Sequence, residues 1–248
     1  MSVSSEVTPR VAIVTGGSGG IGRAVAERLG RDGMHVVVHY ASNVASAEDV
    51  VQRIVSAGGD AFAFGGDVAD EADMAALFDE TERRYGGVDV VVHTAGVMIL
   101  STVVDIDFDD FDHMMRINVR GTFVVDQQAA RRARSGGAII NFSTSVTKRS
   151  VPTYSAYSAS KGAIDEISMI LAKELRGRDV TVNAVAPGPT ATSLFLDGKD
   201  QATIDTLAAM PALGRLGQPD DVADVVSFLA GPGRWVNGQV IYVDGGLL

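Results

Sequence analysis

The chain has 248 residues, 46% of them hydrophobic, with a net charge of −10 and no cysteine. That length and apolar fraction suit one large α/β core. No apolar run approaches the ~20 residues of a membrane span, so no membrane partner is expected, and disulfides and thiolate metal sites are excluded. The acidic balance and the lack of a lysine or arginine cluster argue against a nucleic-acid partner. Arg131, Arg132 and Arg134 read instead as the solvated end of a helix. The opening MSVSSEVTPR lacks a basic segment followed by an apolar core, so it reads as a short frayed tail without a signal peptide. A cytoplasmic location is expected. No linker, repeat or low-complexity segment divides the chain, which predicts a single domain over residues 1–248.

Val11–Thr15 is a short apolar run suited to a buried parallel strand. A glycine turn follows, and then a helical pattern with Val25 and Leu29. Thr15, Gly16, Gly20 and Gly22 give the pattern T-G-x-x-x-G-x-G. Strand, glycine turn and helix together are the setting in which backbone N–H groups meet a pyrophosphate. His35–Tyr40 is a second strand. An acid at its end would bond the ribose hydroxyls of NAD and repel a 2′-phosphate. The residues there are Tyr40, Ala41, Ser42 and Asn43, with no acid before Glu48. NADP(H) is therefore the expected cofactor, although Ser42 and Asn43 also suit an ordinary loop entering the next helix.

Further on, the pattern predicts a helix over Ala47–Ala57, a strand over Ala61–Gly65, a helix over Met74–Tyr85 and a fourth strand over Val88–His93. Asp67, beside Val68, is placed to meet an adenine edge or to serve the next helix start. The acidic run Asp105–Asp112 lacks calcium-loop spacing and reads as a helix start, with no metal site. One long helix is expected from Met114 to Arg134, with Asn118 inside it as a buried amide wanting partners. Gly136 and Gly137 would end it, and Ala138–Phe142 would be the fifth strand. Thr181–Val185 and Gln239–Val243 are the last strands, with a helix over Asp220–Leu229 between them. Residues 189–216 mix apolar, glycine and proline residues, as expected of a lid over a pocket. Leu194, Phe195, Leu196, Leu207, Met210 and Leu213 mark the pocket as partly apolar. Strand–helix alternation argues for a doubly wound, Rossmann-like parallel sheet of about seven strands with helices on both faces.

The densest chemistry lies between Ser143 and Lys161. Tyr157 and Lys161 are four residues apart, on one face of a predicted helix. A nearby ammonium favours phenolate and is expected to lower the Tyr157 pKa from its usual ~10. Such a phenol suits carbonyl/alcohol interconversion. Ser143, Thr144 and Ser145 could hold a substrate oxygen.

Taken in order, Thr15-Gly16-x3-Gly20-x-Gly22, Asp67, Ala95-Gly96, Asn118, Tyr157-x3-Lys161, Pro187-Gly188 and the ending VNGQVIYVDGG resemble the short-chain dehydrogenase/reductase family. The similarity is to its compact single-domain, 3-oxoacyl-reductase-like branch and covers Val11 to Gly246. The resemblance implies that Tyr157 is the proton donor or base. Lys161 would lower its pKa and bond the nicotinamide ribose. Asn118 would kink its helix and hold a water leading from Lys161 to solvent. It further implies a cofactor set of Gly16, Ser18, Gly20, Ile21, Gly22, Tyr40, Ser42, Asn43, Asp67, Val68, Ala95, Gly96, Pro187, Gly188, Thr190 and Thr192, beside Tyr157 and Lys161. A small-molecule carbonyl or alcohol substrate and a homotetramer are also implied. Two positions depart from the family pattern. Thr144 stands thirteen residues before Tyr157, where the family has a serine, so Thr144 or Ser145, with Ser143 third, would orient the substrate. Thr94-Ala95-Gly96 replaces the family's Asn-Ala-Gly, and His93 reads as a structural hydrogen-bonding residue. A non-catalytic redox sensor or scaffold on the same fold is the alternative, and a cofactor-retaining isomerase or dehydratase a third.

Overall fold

A computed structural model describes residues 9–248. Most of the expected frayed tail lies outside the described residues. Arg10 belongs to the fold, however: its guanidinium donates to the carbonyls of Ala230 and, at 3.0 Å, Gly136.

The strands are β1 (Val11–Thr15), β2 (His35–Tyr40), β3 (Asp60–Gly65), β4 (Val88–His93), β5 (Ala133–Phe142), β6 (Thr181–Pro187) and β7 (Val240–Val243). They form one parallel sheet in the order β3-β2-β1-β4-β5-β6-β7. The order reverses between β1 and β4, which opens a crevice at their carboxyl ends. Alternate side chains serve opposite faces. Ala12, Val14, Val36, Val38, Val90 and Val92 pack under helices α1 (Gly20–Arg31), α2 (Val44–Ser56) and α9 (Pro219–Ala230). Ile13, Val37, Val91 and Ile139 pack under α3 (Glu71–Tyr85), α5 (Gly121–Arg132) and α6 (Ser155–Glu174). Burial on both faces is why these strands read as unbroken apolar runs.

Two expectations around residues 114–137 need correction. The expected long helix is divided into α4 (Phe108–Met115), a π-helical turn (Arg116–Arg120) and α5. In addition, β5 begins at Ala133, five residues before the expected start. Gly136 and Gly137 do not stop a helix. They sit where the β4–β5 register shifts, Gly136 at φ +81°, and a Cβ on Gly137 would come within 2.7 Å of the Arg134 and Asp89 carbonyls. Only glycine tolerates that bulge. Arg134 is accordingly not a solvated helix end: its Nε donates to Asp89 Oδ1 at 2.9 Å. The acidic run starts α4, with Asp107 accepting from the Asp109 amide at 2.8 Å. Residues 189–216 carry two short helices, α7 (Ser193–Leu196) and α8 (Gln201–Ala208).

Beneath the crevice a polar row crosses three strands in register: Thr15, His93 and Asn141. Thr15 Oγ1 and His93 Nδ1 share a 2.7 Å hydrogen bond. Asn141 Nδ2 donates to Asp126 at 2.8 Å and to Ser168 at 3.0 Å. Burial lowers the pKa of His93 to about 3 and of His39 to about 4, and raises that of Asp126 to about 7. Between about pH 5 and 6, unfolding therefore takes up most of a proton at each histidine and releases one from Asp126. The net uptake makes stability rise with pH, by about 1.4 kcal/mol per pH unit for one proton. Replacing His93 by Asn cancels that net proton, so urea unfolding of H93N across this window should give a slope near zero. A slope equal to that of the parent chain would mean His93 is not neutral in the fold.

Candidate active site

The glycine turn is shaped by how closely it meets the end of β4. Gly16 lies at φ +66°, and a Cβ there would come within 2.9 Å of the Ala95 amide nitrogen. A Cβ on Gly22 would sit 2.3 Å from the Gly16 carbonyl oxygen and 2.5 Å from Thr94 Oγ1. Thr94 itself donates to the Thr15 carbonyl at 2.6 Å. Side chains cap α2, α3, α4, α7 and α8, but the N-cap of α1 is Gly19, which has none, and its first turn carries no acid. The first amides of α1 thus face the crevice without a protein acceptor on the helix axis, which suits an anion. His39, unremarked in the sequence beyond its place in β2, braces this turn. Its Nε2 meets the Gly66 carbonyl at 3.0 Å, so Nδ1 is left to accept from the Gly16 amide at 3.5 Å.

The opposite wall is the start of α6. Lys161 is buried, and its Nζ donates to the Phe142 carbonyl at 2.8 Å. It lies 5.9 Å from the centroid of the Tyr157 ring. The expected depression of the Tyr157 pKa is not found. Burial drives it up to about 12, the neighbouring Tyr154 adds to this, and a hydrogen bond with Thr144 only partly opposes it. Burial also lowers Lys161 to about 8, against the pull of Asp165. Desolvation of both groups outweighs their mutual attraction at this separation. Tyr157 is a neutral phenol with a proton to give. Of the three candidate hydroxyls, Thr144 is the one that acts on the Tyr157 phenol. Ser143 faces Asp165, one helical turn beyond Lys161, and Ser145 opens a 3₁₀ turn running to Lys148.

Asn118 sits in the π turn and lies behind the cavity wall. It pairs reciprocally with Val97: the Val97 amide donates to Oδ1, and Nδ2 donates to the Val97 carbonyl, both at 2.9 Å. Nδ2 also donates to Ser160 Oγ at 2.9 Å, and Ser160 in turn donates to the Tyr157 carbonyl at 2.8 Å. The extra residue of a π turn delivers the amide to these partners and produces the helix irregularity expected at Asn118.

These walls enclose one cavity of about 740 Å³. Gly16, Ser18, Gly20, Ile21, Gly22, Ser42, Asn43, Asp67, Val68, Ala95, Gly96, Pro187, Gly188, Thr190 and Thr192 all line it, with Thr144, Ser145, Tyr157 and Lys161. Tyr40 does not. Its ring covers Gly65, where a Cβ would come within 2.9 Å of it. The Asn43 side chain accepts from the Ser46 amide at 3.0 Å and caps α2, so part of its polarity is spent on the helix. Asp67 is held by Arg116 at 2.6 Å and by the Ala69 amide. Burial raises its pKa, but these partners outweigh it and the carboxyl is lowered. Met98, His113, Arg149, Val151 and Tyr154 also line the cavity. Only spacing hinted at one of them: Tyr154 precedes Tyr157 by three residues, and their rings meet edge to face at 6.3 Å.

Comparison with known proteins gives concordant matches. A family model described as Enoyl-(Acyl carrier protein) reductase matches residues 16–248. A "Short-chain type dehydrogenase/reductase" of Picea abies is 42% identical, over 96% of this chain and 92% of its own. The "NADPH-dependent aldehyde reductase-like protein, chloroplastic" of Arabidopsis thaliana is 40% identical, over 99% and 97%. Among solved structures, a short chain dehydrogenase from Burkholderia cenocepacia J2315 in complex with NADP superposes with a TM-score of 0.90 at 36% identity, covering 96% of this chain and 97% of that one.

The tight approach of Gly22 to the Gly16 carbonyl predicts the outcome of a single methyl. G22A should cost on the order of 1–3 kcal/mol through overpacking, seen as a melting temperature lower by several degrees. It should also abolish nucleotide binding, because the turn cannot close. Unaltered melting and binding would refute this account of the turn.

Proposed function

This chain belongs to the short-chain dehydrogenase/reductase family of NAD(P)-dependent oxidoreductases, and on that premise we propose that it interconverts a ketone or aldehyde and an alcohol with NADP(H). One observation carries the reading: a single cavity joins the uncapped start of α1 to the Tyr157 phenol and the Thr144 hydroxyl. The amides of Gly20, Ile21 and Gly22 would take the pyrophosphate. Asp67 and Val68 would border the adenine, and Ala95, Gly96, Pro187, Gly188, Thr190 and Thr192 would border the nicotinamide end. Lys161 would bond the ribose. When bound, NADPH supplies a hydride to the carbonyl carbon, and NADP+ accepts one in the reverse direction. Thr144 orients the carbonyl oxygen. Tyr157, neutral in this site, donates its proton to that oxygen in reduction and accepts it in oxidation. Asn118 positions this machinery by tying the first turn of α6, through Ser160, to the segment after β4.

Preference for NADP(H) draws support from charge. The cavity at the end of β2 is lined by His39, Ala41, Ser42 and Asn43, and its single lining carboxylate, Asp67, is already paired with Arg116. A 2′-phosphate would meet neutral donors there and no unpaired acid. The NADPH-dependent relative and the NADP-containing structure point the same way. A cytoplasmic location belongs to the same proposal and rests on the cysteine-free composition. No described helix is long and apolar enough to cross a membrane.

Titration with NADPH and with NADH, followed by nicotinamide fluorescence, should show tighter binding of NADPH. Y157F should bind NADPH within about threefold of the parent yet lose at least about 10²-fold in turnover, the contribution of a general acid. Preference for NADH would overturn the reading of Ala41–Asn43, and full turnover in Y157F would overturn its role.

We further propose a homotetramer. Val104, Phe108, Phe123 and Trp235 are large apolar side chains exposed on the single chain, more than a lone subunit gains by showing to water. Sedimentation should give a mass four times that of the chain, and a monomer would exclude this.

A further inference from the structure

The substrate end of the cavity is apolar, walled by Met98, Val151, Leu194, Phe195, Leu207 and Met210. One charged side chain interrupts it. Arg149 follows the 3₁₀ turn after β5, is half-buried, and lines the cavity. Its guanidinium carries a fixed positive charge in a planar fork of donors. Among the described residues no carboxylate lies within ion-pairing distance of it. Among the described residues its one side-chain hydrogen bond goes to the Met210 sulfur at 3.9 Å, in the segment that follows α8. Sulfur is a weak acceptor and leaves most of the fork unsatisfied. Burial raises the pKa of the neighbouring Tyr154, and the Arg149 charge only partly opposes that rise.

The other charged groups of the cavity do not answer it. Lys161 is a second cation and is committed to the Phe142 carbonyl. Asp67 is held by Arg116. The guanidinium therefore stands at the edge of an apolar recess with its fork of donors free, and an anionic ligand would supply the counter-charge that the described residues do not.

We propose that Arg149 anchors an anionic group of the substrate: a carboxylate or phenolate carried on an apolar frame, with the reacting carbonyl reaching toward Tyr157. This rests on the carbonyl-reduction reading of the same cavity. Arg149 sets specificity and touches no reacting atom. The apolar walls and the charge together select a flat or extended keto acid over a neutral ketone.

The test uses matched probes. 4-Acetylbenzoate and its methyl ester are titrated by calorimetry into protein saturated with NADP+, where no reduction occurs, and 4-carboxybenzaldehyde and its methyl ester are turned over with NADPH. The parent chain should bind the acid at least about tenfold more tightly than the ester, the fold-change expected of a charge-assisted hydrogen bond. In R149Q that acid-over-ester ratio should collapse to about one, and R149K should restore part of it. A ratio near one in the parent, or a ratio retained in R149Q, overturns the proposal. Because the binding experiment needs no chemistry, a charge-dependent ratio without turnover of either aldehyde would sink the carbonyl-reduction reading and leave the anion anchor standing. Thermal melting of R149Q within a few degrees of the parent guards against a folding defect.

Discussion

The arrangement depends on a close approach of two backbone segments at the carboxyl ends of β1 and β4. Gly16 and Gly22 let the turn after β1 settle against Thr94 and Ala95 with no room for a methyl group. Thr94 fastens the contact through the Thr15 carbonyl, and Thr15 reaches His93 beneath it. This contact seats the amino end of α1 beside the crevice that opens where the strand order reverses. It also carries the strand β4 whose continuation, Ala95 to Val97, is gripped by Asn118. A nucleotide-binding half and a catalytic half therefore share one seam.

On the catalytic side, desolvation governs the chemistry more than charge pairing does. Lys161 is buried and Tyr157 is half-buried at the cavity wall, and desolvation pushes each toward its neutral form. With the ammonium turned to the Phe142 carbonyl, the phenol keeps its proton. A proton donor in that state matches the reductive direction of the proposed reaction. Thr144 offers, beside the phenol, the same hydroxyl that a serine would. His93, buried and held neutral, bonds Thr15 across the sheet.

At the substrate end a largely apolar recess, roofed by α7 and α8, is broken by the single guanidinium of Arg149. Apolar walls give affinity without direction, whereas one fixed charge gives orientation. That division suits the proposed presentation of one face of a carbonyl to a hydride.

Much of this was legible in the residues. Unbroken runs such as VAIVT and VDVVVH announce strands buried on both faces, because a two-sided sheet needs no alternation. The glycine spacing and the Tyr157–Lys161 pair are local patterns, and a helix or turn brings such neighbours together whatever surrounds it. Other features waited on distant contacts. Gly136 and Gly137 look like a helix stop until β4 is set alongside, which makes them a bulge. Tyr40 looks like a cofactor contact until β3 presents Gly65 to its ring. Arg149 is one more basic residue until the fold sets it in the cavity wall with no carboxylate of the described residues within ion-pairing distance. Sequence alone determined the sheet, the glycine turn and the placing of Tyr157 and Lys161 on one helix face, since each follows from residues near one another in the chain. Tertiary structure alone decided the protonation of Tyr157, the partners of Asn118 and the isolation of Arg149. Those depend on burial and on groups brought together from far apart in the chain, and local spacing carries no record of either.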